Sequence, residues 1–540
     1  MMWPSFVWLI ALPIVTSPVV YLVGRLLQRA LEGPAATGGI PAFGPFALEM
    51  AKAAPAHSGS APRRWAANPV RWIGLVVLAA SFIPLVQAWG ELAQGRAAVF
   101  TYGVISLRFD GISLLLAAAV LTLGALVSLF SGAYIGADAN QEKYHALLNI
   151  MVGAMIGLGC AGDLFNLWIW FETMAVASYM LVAYYVKQPS SLEAGVKYLV
   201  QSSAGSMLAL LGIGVVFAQT GTLDLPALRG IVMGGAANRL PFLAAGALFS
   251  VGFGVKIALV PMHTWLPDAH SQAPSGISAM LSGVVIEAGL IALLRALSVI
   301  SGASMAWGPL LLAFGAINMI VGNLLALRQT QVKRMLAFSS LAHVGYMLLG
   351  IGAAVAFREA QGAQGGLFHL ITHSLMKGLA FLAAGGLLFA LRISRGGTEP
   401  LIVDDLAGAA RRYPLTALTF SIALLGLGGL PPMAGFMSKW QIFAAGFQTG
   451  NTLIFALVVF ALLNSLLSFA YYAPLVNIMY RRAPSPLVLA GGRVPPSMVI
   501  VFVILTLAIL ALGVWPALAN VVTVPAGQAV LSIFGAGGGA

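Results

Sequence analysis

Five ionisable side chains stand in stretches too apolar to be loops. Glu172 sits mid-way in Phe165-Asn166-Leu167-Trp168-Ile169-Trp170-Phe171-Glu172-Thr173-Met174, and Glu287 in Leu281-Ser282-Gly283-Val284-Val285-Ile286-Glu287-Ala288-Gly289. Lys256, Lys377 and Lys439 lie in similar surroundings. A lysine or aspartate at a membrane-helix centre costs roughly 2.5–3.5 kcal/mol on insertion. Five such groups would exceed a typical protein's stability of about 5–15 kcal/mol unless paired or hydrated. They are therefore expected to face one another or water inside a bundle. Purely structural ion pairs are the plain alternative, and the number of such groups weighs against it.

Histidines extend the set. His369, His373 and Lys377 recur at i, i+4, i+8, on one helix face, and His343 lies mid-way in Phe338-Ser339-Ser340-Leu341-Ala342-His343-Val344-Gly345-Tyr346. Imidazole accepts a proton at one nitrogen and donates from the other. Burial loosens a lysine's hold on its proton and an approaching carboxylate tightens it, so a Glu–Lys pair that opens and closes can switch proton affinity. The pattern points to a row of groups passing protons. Na⁺ would ask for more oxygen ligands in one place. A metal site at His369 and His373 lacks a third ligand of suitable spacing, and a lone buried histidine is ordinarily a core residue.

The elements that carry these residues follow from composition. Of 540 residues, 60% are apolar and 8% charged, with 62 glycines, against about 25% charged in soluble proteins; the mean hydropathy is +0.94. The class is an all-α polytopic membrane protein, which excludes a soluble enzyme, a nucleic-acid binder and a disordered chain. The net charge of +12 resides mostly in loops, as the positive-inside rule expects. A single cysteine, Cys160, supplies no internal disulfide, iron–sulfur cluster or zinc site. Without a G-x-G-x-x-G fingerprint or P-loop, no redox, hydrolytic or cofactor site is expected. Met1-Met2-Trp3 lacks a charged n-region, so the first apolar run reads as a retained anchor.

At about 20 residues per span, fourteen candidates appear: 3–24, 72–92, 111–135, 145–163, 165–186, 193–219, 241–262, 274–299, 306–327, 333–356, 364–391, 414–433, 454–480 and 498–519. Two segments interrupt the pattern, each with a lysine: Phe253 to Pro261 running into Met262–His270, and Gly426 to Pro432 running into Met433–Trp440. Paired Gly/Pro-interrupted segments in two halves of a chain point to an ion site, and a five-helix repeat, inverted or parallel, gives their spacing; ordinary proline kinks are the alternative. Residues 31–71, with Lys52, Arg63, Arg64 and Arg71, read as a flexible insertion or a surface amphipathic stretch. On alternate loops, nineteen Lys and Arg fall on one side and six, Arg295 among them, on the other. That bias places both termini outside the cytoplasm.

At these residues the chain resembles the antiporter-like subunits of respiratory complex I, Mrp Na⁺/H⁺ antiporters and membrane-bound hydrogenases. The likeness rests on Asp163-Leu164-Phe165-Asn166-Leu167-Trp168 with Glu172, on Pro261–His270, Gln331–Ser340 and His369–Lys377, and on Gly435-Phe436-Met437-Ser438-Lys439-Trp440. It covers about residues 110–480 and looks most like the D-type Mrp protein and its hydrogenase counterparts. It implies two inverted five-helix repeats with broken helices seven and twelve. The regions expected are N-terminal helices with the insertion (1–110), a first repeat (111–300), a second (301–482), and a C-terminal helix and tail (483–540). Glu172 with Lys256 would be the switching pair, Lys377 with the histidines the central relay, and Lys439 the terminal carrier. Several relatives carry lysine where this chain has Glu287, which is expected to be flanked by Lys256, with Lys377 the further candidate, and to stay ionised as an acceptor; a carboxylate that faces a surface cavity and neutralises a neighbour is the alternative. No long lateral helix is expected after the last span. The function implied is a proton-translocating, or Na⁺/H⁺-exchanging, subunit among other membrane subunits in a bacterial or archaeal energy-coupling membrane. A free-standing transporter of a small solute is the competing reading.

Overall fold

The computed structural model describes residues 4–32, 70–95, 98–136, 138, 140–235, 238–395 and 400–535. The reading of 31–71, with Lys52, Arg63 and Arg64, lies almost wholly outside the described residues. The helices used below are α1 (Ser5–Glu32), α2 (Val70–Ala80), α3 (Phe82–Ala93), α4 (Gly111–Tyr134), α5 (Gln141–Gly159), α6 (Leu164–Val182), α7 (Pro189–Thr220), α8 (Leu225–Met233) and α9 (Leu240–Ile257). They continue with α10 (Trp265–Gln272), α11 (Ser275–Met280), α12 (Ile286–Val299), α13 (Trp307–Ala326), α14 (Val332–Phe357) and α15 (Ala360–Arg395). The last are α16 (Pro414–Gly428), α17 (Ala434–Gln448), α18 (Thr452–Arg481), α19 (Pro496–Val514) and α20 (Asn520–Ile533).

Thirteen helices among the described residues are long and apolar enough to cross a membrane. Two expected spans fall outside that set: α5, whose first turn carries Glu142 and Lys143, and α16, only 15 residues long because a break cuts it short. One member of the set, Pro516–Ile533, was not expected. Its contacts show that it lies flat. Asn520 Oδ1 accepts from Gln364 near the start of α15 (3.2 Å), and the Ser532 carbonyl accepts from Arg229 of α8 (3.4 Å). The Pro525 backbone sits so close to Gly111, the first residue of α4, that a Cβ there would meet it at 2.2 Å. All three partners mark one end of the bundle, and the 14 residues of α20 reach about 21 Å, short of a hydrocarbon core of about 30 Å. The chain therefore carries a short lateral helix after the last span, where no long one was expected. A two-stranded antiparallel hairpin, Ala98–Tyr102 with Ile105–Phe109, is a second feature the all-α reading lacked.

A tight turn over 160–163 separates α5 from α6. Asp163 caps α6, accepting at 2.7 Å from Asn166 N, a donor that the helix start leaves open, and ties the helix to the hairpin by accepting from Ser106 N at 3.0 Å.

Both interruptions are real breaks built alike. α9 ends at Ala258 (φ 59°) three residues before a cis Val260-Pro261 bond, and α16 ends at Gly429 (φ 93°) three residues before a cis Pro431-Pro432 bond. In the first break the freed groups find side chains. Trp265 Nε1 donates to the Val255 carbonyl at 2.7 Å, Val260 N donates to Asn318 Oδ1 at 2.9 Å, and Asn318 Nδ2 donates to the Ala258 carbonyl at 3.4 Å. Such replacement is what lets irregular backbone persist at membrane depth. A third irregularity gave no warning: a π-helical turn over Leu281–Val285 joins α11 to α12, immediately before Glu287.

Candidate functional site: a buried polar line across the bundle

Lys256 lies two residues before the αL end of α9 and is fully buried. Its Nζ donates to Tyr198 Oη at 2.9 Å and to Ser202 Oγ at 3.2 Å, both on α7, and sits 4.6 Å from the Tyr198 ring centroid. Tyr198 is held in place by stacking on Trp265 of α10, with 4.0 Å between ring centroids. The expected partner Glu172 lies within electrostatic reach of Lys256 but not in contact with it. It is half-buried on α6, and its buried Oε1 has no hydrogen-bond partner. The structure thus shows the two groups apart, with neutral hydroxyls on the lysine.

Glu287 corrects an expectation. It is fully buried, but neither Lys256 nor Lys377 holds it; its Oε1 lies 2.8 Å from His373 Nδ1 and its Oε2 has no partner. Lys256 reaches only the neighbouring turn, its stem packing against Gly289. Lys377 instead donates to the Leu336 carbonyl at 2.7 Å and to Ser339 Oγ, both on α14. It shares a helix face with the histidines but points to different partners.

From Glu287 a line of rings leads on. The rings of His373 and His343 lie 5.0 Å apart, and His343 Nδ1 is 3.0 Å from His369 Nε2. His369 Nδ1 is 2.8 Å from Ser438 Oγ on α17. Ser438 donates to the Gly435 carbonyl at 3.2 Å, which leaves its oxygen to accept from His369 Nδ1–H. His369 Nε2 then accepts from His343 Nδ1–H, since a neutral imidazole has one donor and one acceptor. With the Ser438 hydrogen on the Gly435 carbonyl, this assignment of tautomers orders the row.

Lys439 follows Ser438 in sequence. It was expected inside the second break, yet it lies on α17 and reaches back to the break: Nζ donates to the Leu427 carbonyl (2.8 Å), the Gly428 carbonyl (3.3 Å) and Ser465 Oγ (2.9 Å). It stands 4.7 Å from the Tyr346 ring centroid. The lysine itself satisfies carbonyls that the break frees.

Sequence reasoning missed the hydroxyls at Tyr198, Ser202, Ser438 and Ser465. Of these, Ser438 lay inside a motif already singled out. It also gave no role to His270, the last residue of the Pro261–His270 motif, which is fully buried against Phe381 at 4.8 Å between ring centroids, with neither nitrogen partnered among the described residues. Arg295, counted among loop cations, is buried on α12, with Nη1 3.1 Å from Asp110 Oδ2 and Nη2 2.9 Å from Oδ1. Among the described residues no group of three or more His, Cys, Asp or Glu side chains could hold a metal ion.

Residues 161–468, which span the line from Glu172 to Lys439, match the family described as NADH:quinone oxidoreductase/Mrp antiporter, TM. The chain belongs to this family. It is an antiporter-like membrane subunit of the proton-translocating kind. F420H2 dehydrogenase subunit N of Methanosarcina mazei is 32% identical over 82% of this chain and 88% of that protein. NADH-quinone oxidoreductase subunit N 1 of Sorangium cellulosum is 34% identical over 73% and 78%. Among solved structures, a membrane-bound sulfane sulfur reductase, an archaeal respiratory complex, aligns with a TM-score of 0.80 at 26% identity, covering 98% of both chains. The Mrp complex of Dietzia sp. shares the fold (TM-score 0.77, 21% identity, 98% and 99% coverage). These relatives carry the name subunit N, a different branch from the D-type Mrp likeness expected from the motifs.

Proposed function

We propose that protons cross this subunit along the line Glu172, Lys256, Glu287, His373, His343, His369, Ser438 and Lys439, with Lys377 beside it as a lysine whose charge biases the histidines. One observation carries the reading: Glu287, three imidazoles and Ser438 stand in sequence, with contacts of 2.8, 3.0 and 2.8 Å and one ring-to-ring step of 5.0 Å. Each member can take a proton on one atom and release it from another. Lys256 delivers its proton when Glu172 withdraws, Glu287 accepts it, and the histidines pass it toward Lys439. The line offers imidazoles and ammonium groups rather than the oxygen cage a hard cation needs, which supports H⁺ over Na⁺. It runs laterally over several helices, unlike the single midplane pocket of a solute transporter.

The corresponding breaks support two repeats, 111–300 and 301–482, and the basic loops support both termini on the non-cytoplasmic side. By analogy with relatives named as subunits of dehydrogenases and oxidoreductases, the chain works beside other membrane subunits in a respiratory-type complex that supplies the driving force. Co-purification of the native complex identifies them. The test of the line is proton uptake by vesicles, read with a pH-sensitive dye. Lys256→Met and Glu172→Gln should each abolish uptake while leaving assembly intact; near-normal uptake in both sinks the pairing.

A further inference from the structure

The lateral helix α20 closes over a crevice of about 200 Å³ that the proton line does not use. Arg108 of the hairpin, Arg229 of α8 and Arg295 of α12 line it, with Asp110 as the only carboxylate among its lining residues, and Ser532 and Ile533 form part of its roof. Asp110 is already spent on Arg295. The remaining contacts of Arg295 Nη2 are the Gly159 carbonyl at 2.6 Å and Ser113 Oγ at 3.1 Å. Its Nε is buried with no hydrogen-bond partner among the described residues, and so is the Nε of Arg229. Among the described residues Arg229 Nη1 has only the Ser532 carbonyl at 3.4 Å. Three guanidinium groups therefore share one carboxylate. Burial, and then the neighbouring Arg108 and Arg295, push the Arg229 guanidinium below its ordinary range, with Asp110 opposing. Three cations beside one carboxylate call for a further anion, and planar guanidinium forks match oxyanions in particular.

We propose that this crevice binds a phosphate-sized oxyanion, taken by the terminal N–H groups of Arg229 with Arg108 and Arg295 completing its charge balance, and that the anion latches α20 onto the hairpin, α8 and α12. A free inorganic anion and the phosphate of an acidic phospholipid share this chemistry. The test uses the full chain purified in detergent and stripped of lipid, with hydrogen exchange followed over residues 520–533. Inorganic phosphate, against chloride at equal ionic strength, should slow exchange severalfold and saturably. Arg229→Gln should lose the effect and Arg229→Lys should keep part of it. If phosphate does nothing but nanodiscs of phosphatidylglycerol protect α20 where phosphatidylcholine does not, again only with Arg229 present, the source is the lipid. Equilibrium dialysis of phosphate and assay of bound phospholipid on the wild-type protein decide the matter even if a variant misfolds. The proposal falls if neither anion is retained, or if Arg229→Gln responds like the wild type to both.

Discussion

At the scale of single residues, the informative position is Glu287. Lysine in that place would put an ammonium against His373, whereas the carboxylate puts an acceptor there, 2.8 Å away. Glu287→Gln keeps an oxygen for His373 Nδ1–H and so should preserve assembly, but an amide cannot hold the travelling proton. Proton uptake should fall by about 10²-fold or more, the range found when a positioned acid or base is lost. His369→Ala should do as much by cutting the contact between His343 and Ser438. Dye-monitored uptake in vesicles checks both, and an unimpaired His369→Ala variant would mean that protons leave the line before α17.

At the scale of elements, glycines and one ion pair hold the line in place. Gly435, one turn before Ser438, packs against the end of α16 so closely that a Cβ would meet the Gly426 carbonyl oxygen at 1.9 Å. Gly435→Ala should push the two half-helices apart at a cost of about 1–3 kcal/mol, the range for overpacking. It should lower uptake by moving Ser438 from His369, and thermal unfolding beside the uptake assay measures both. Asp110 caps α4 and grips Arg295 at the far end of the helix that carries Glu287. Burial raises the Asp110 pKa, but the Arg295 charge and hydrogen bonds from Arg295 and Ser113 outweigh it, so the folded value lies below the ordinary one. The sign follows: the pair's stabilisation is complete above the unfolded value of about 3.9 and is lost as pH falls through the folded value. Asp110→Asn should cost about 1.5–3 kcal/mol near neutrality and flatten the acid limb of the unfolding midpoint. A limb unchanged by the substitution would assign it to other carboxylates.

At the scale of the whole molecule, orientation is testable because Cys160 is the sole cysteine and is buried. In a Cys160→Ser background, Gly230→Cys on the face that carries α20 should react with an impermeant maleimide in intact cells. Arg411→Cys on the basic face should react only after permeabilisation. The reverse pattern would invert the topology proposed from the loop charges.

Much of this was legible in the chain. Apolar runs of spanning length located most of the crossings, because a membrane helix must bury its backbone within itself. The glycines and prolines at 254–261 and 426–432 marked both breaks, since neither residue type sustains a helix ladder well. Helical periodicity put His369, His373 and Lys377 on one face, and the cost of buried charge singled out Glu172, Lys256, Glu287 and Lys439. Partner choice was not legible. It depends on how helices cross and on local register, and the π-helical turn at Leu281–Val285 stands just where Glu287's direction is set. So Glu287 meets His373 instead of a lysine, and Lys377 turns to Ser339 and the Leu336 carbonyl. Likewise the hydropathy of 516–533 says only that the helix is apolar. That it lies across one end of the bundle depends on Gly111, Gln364 and Arg229, which are distant in sequence and brought together only by the packed fold.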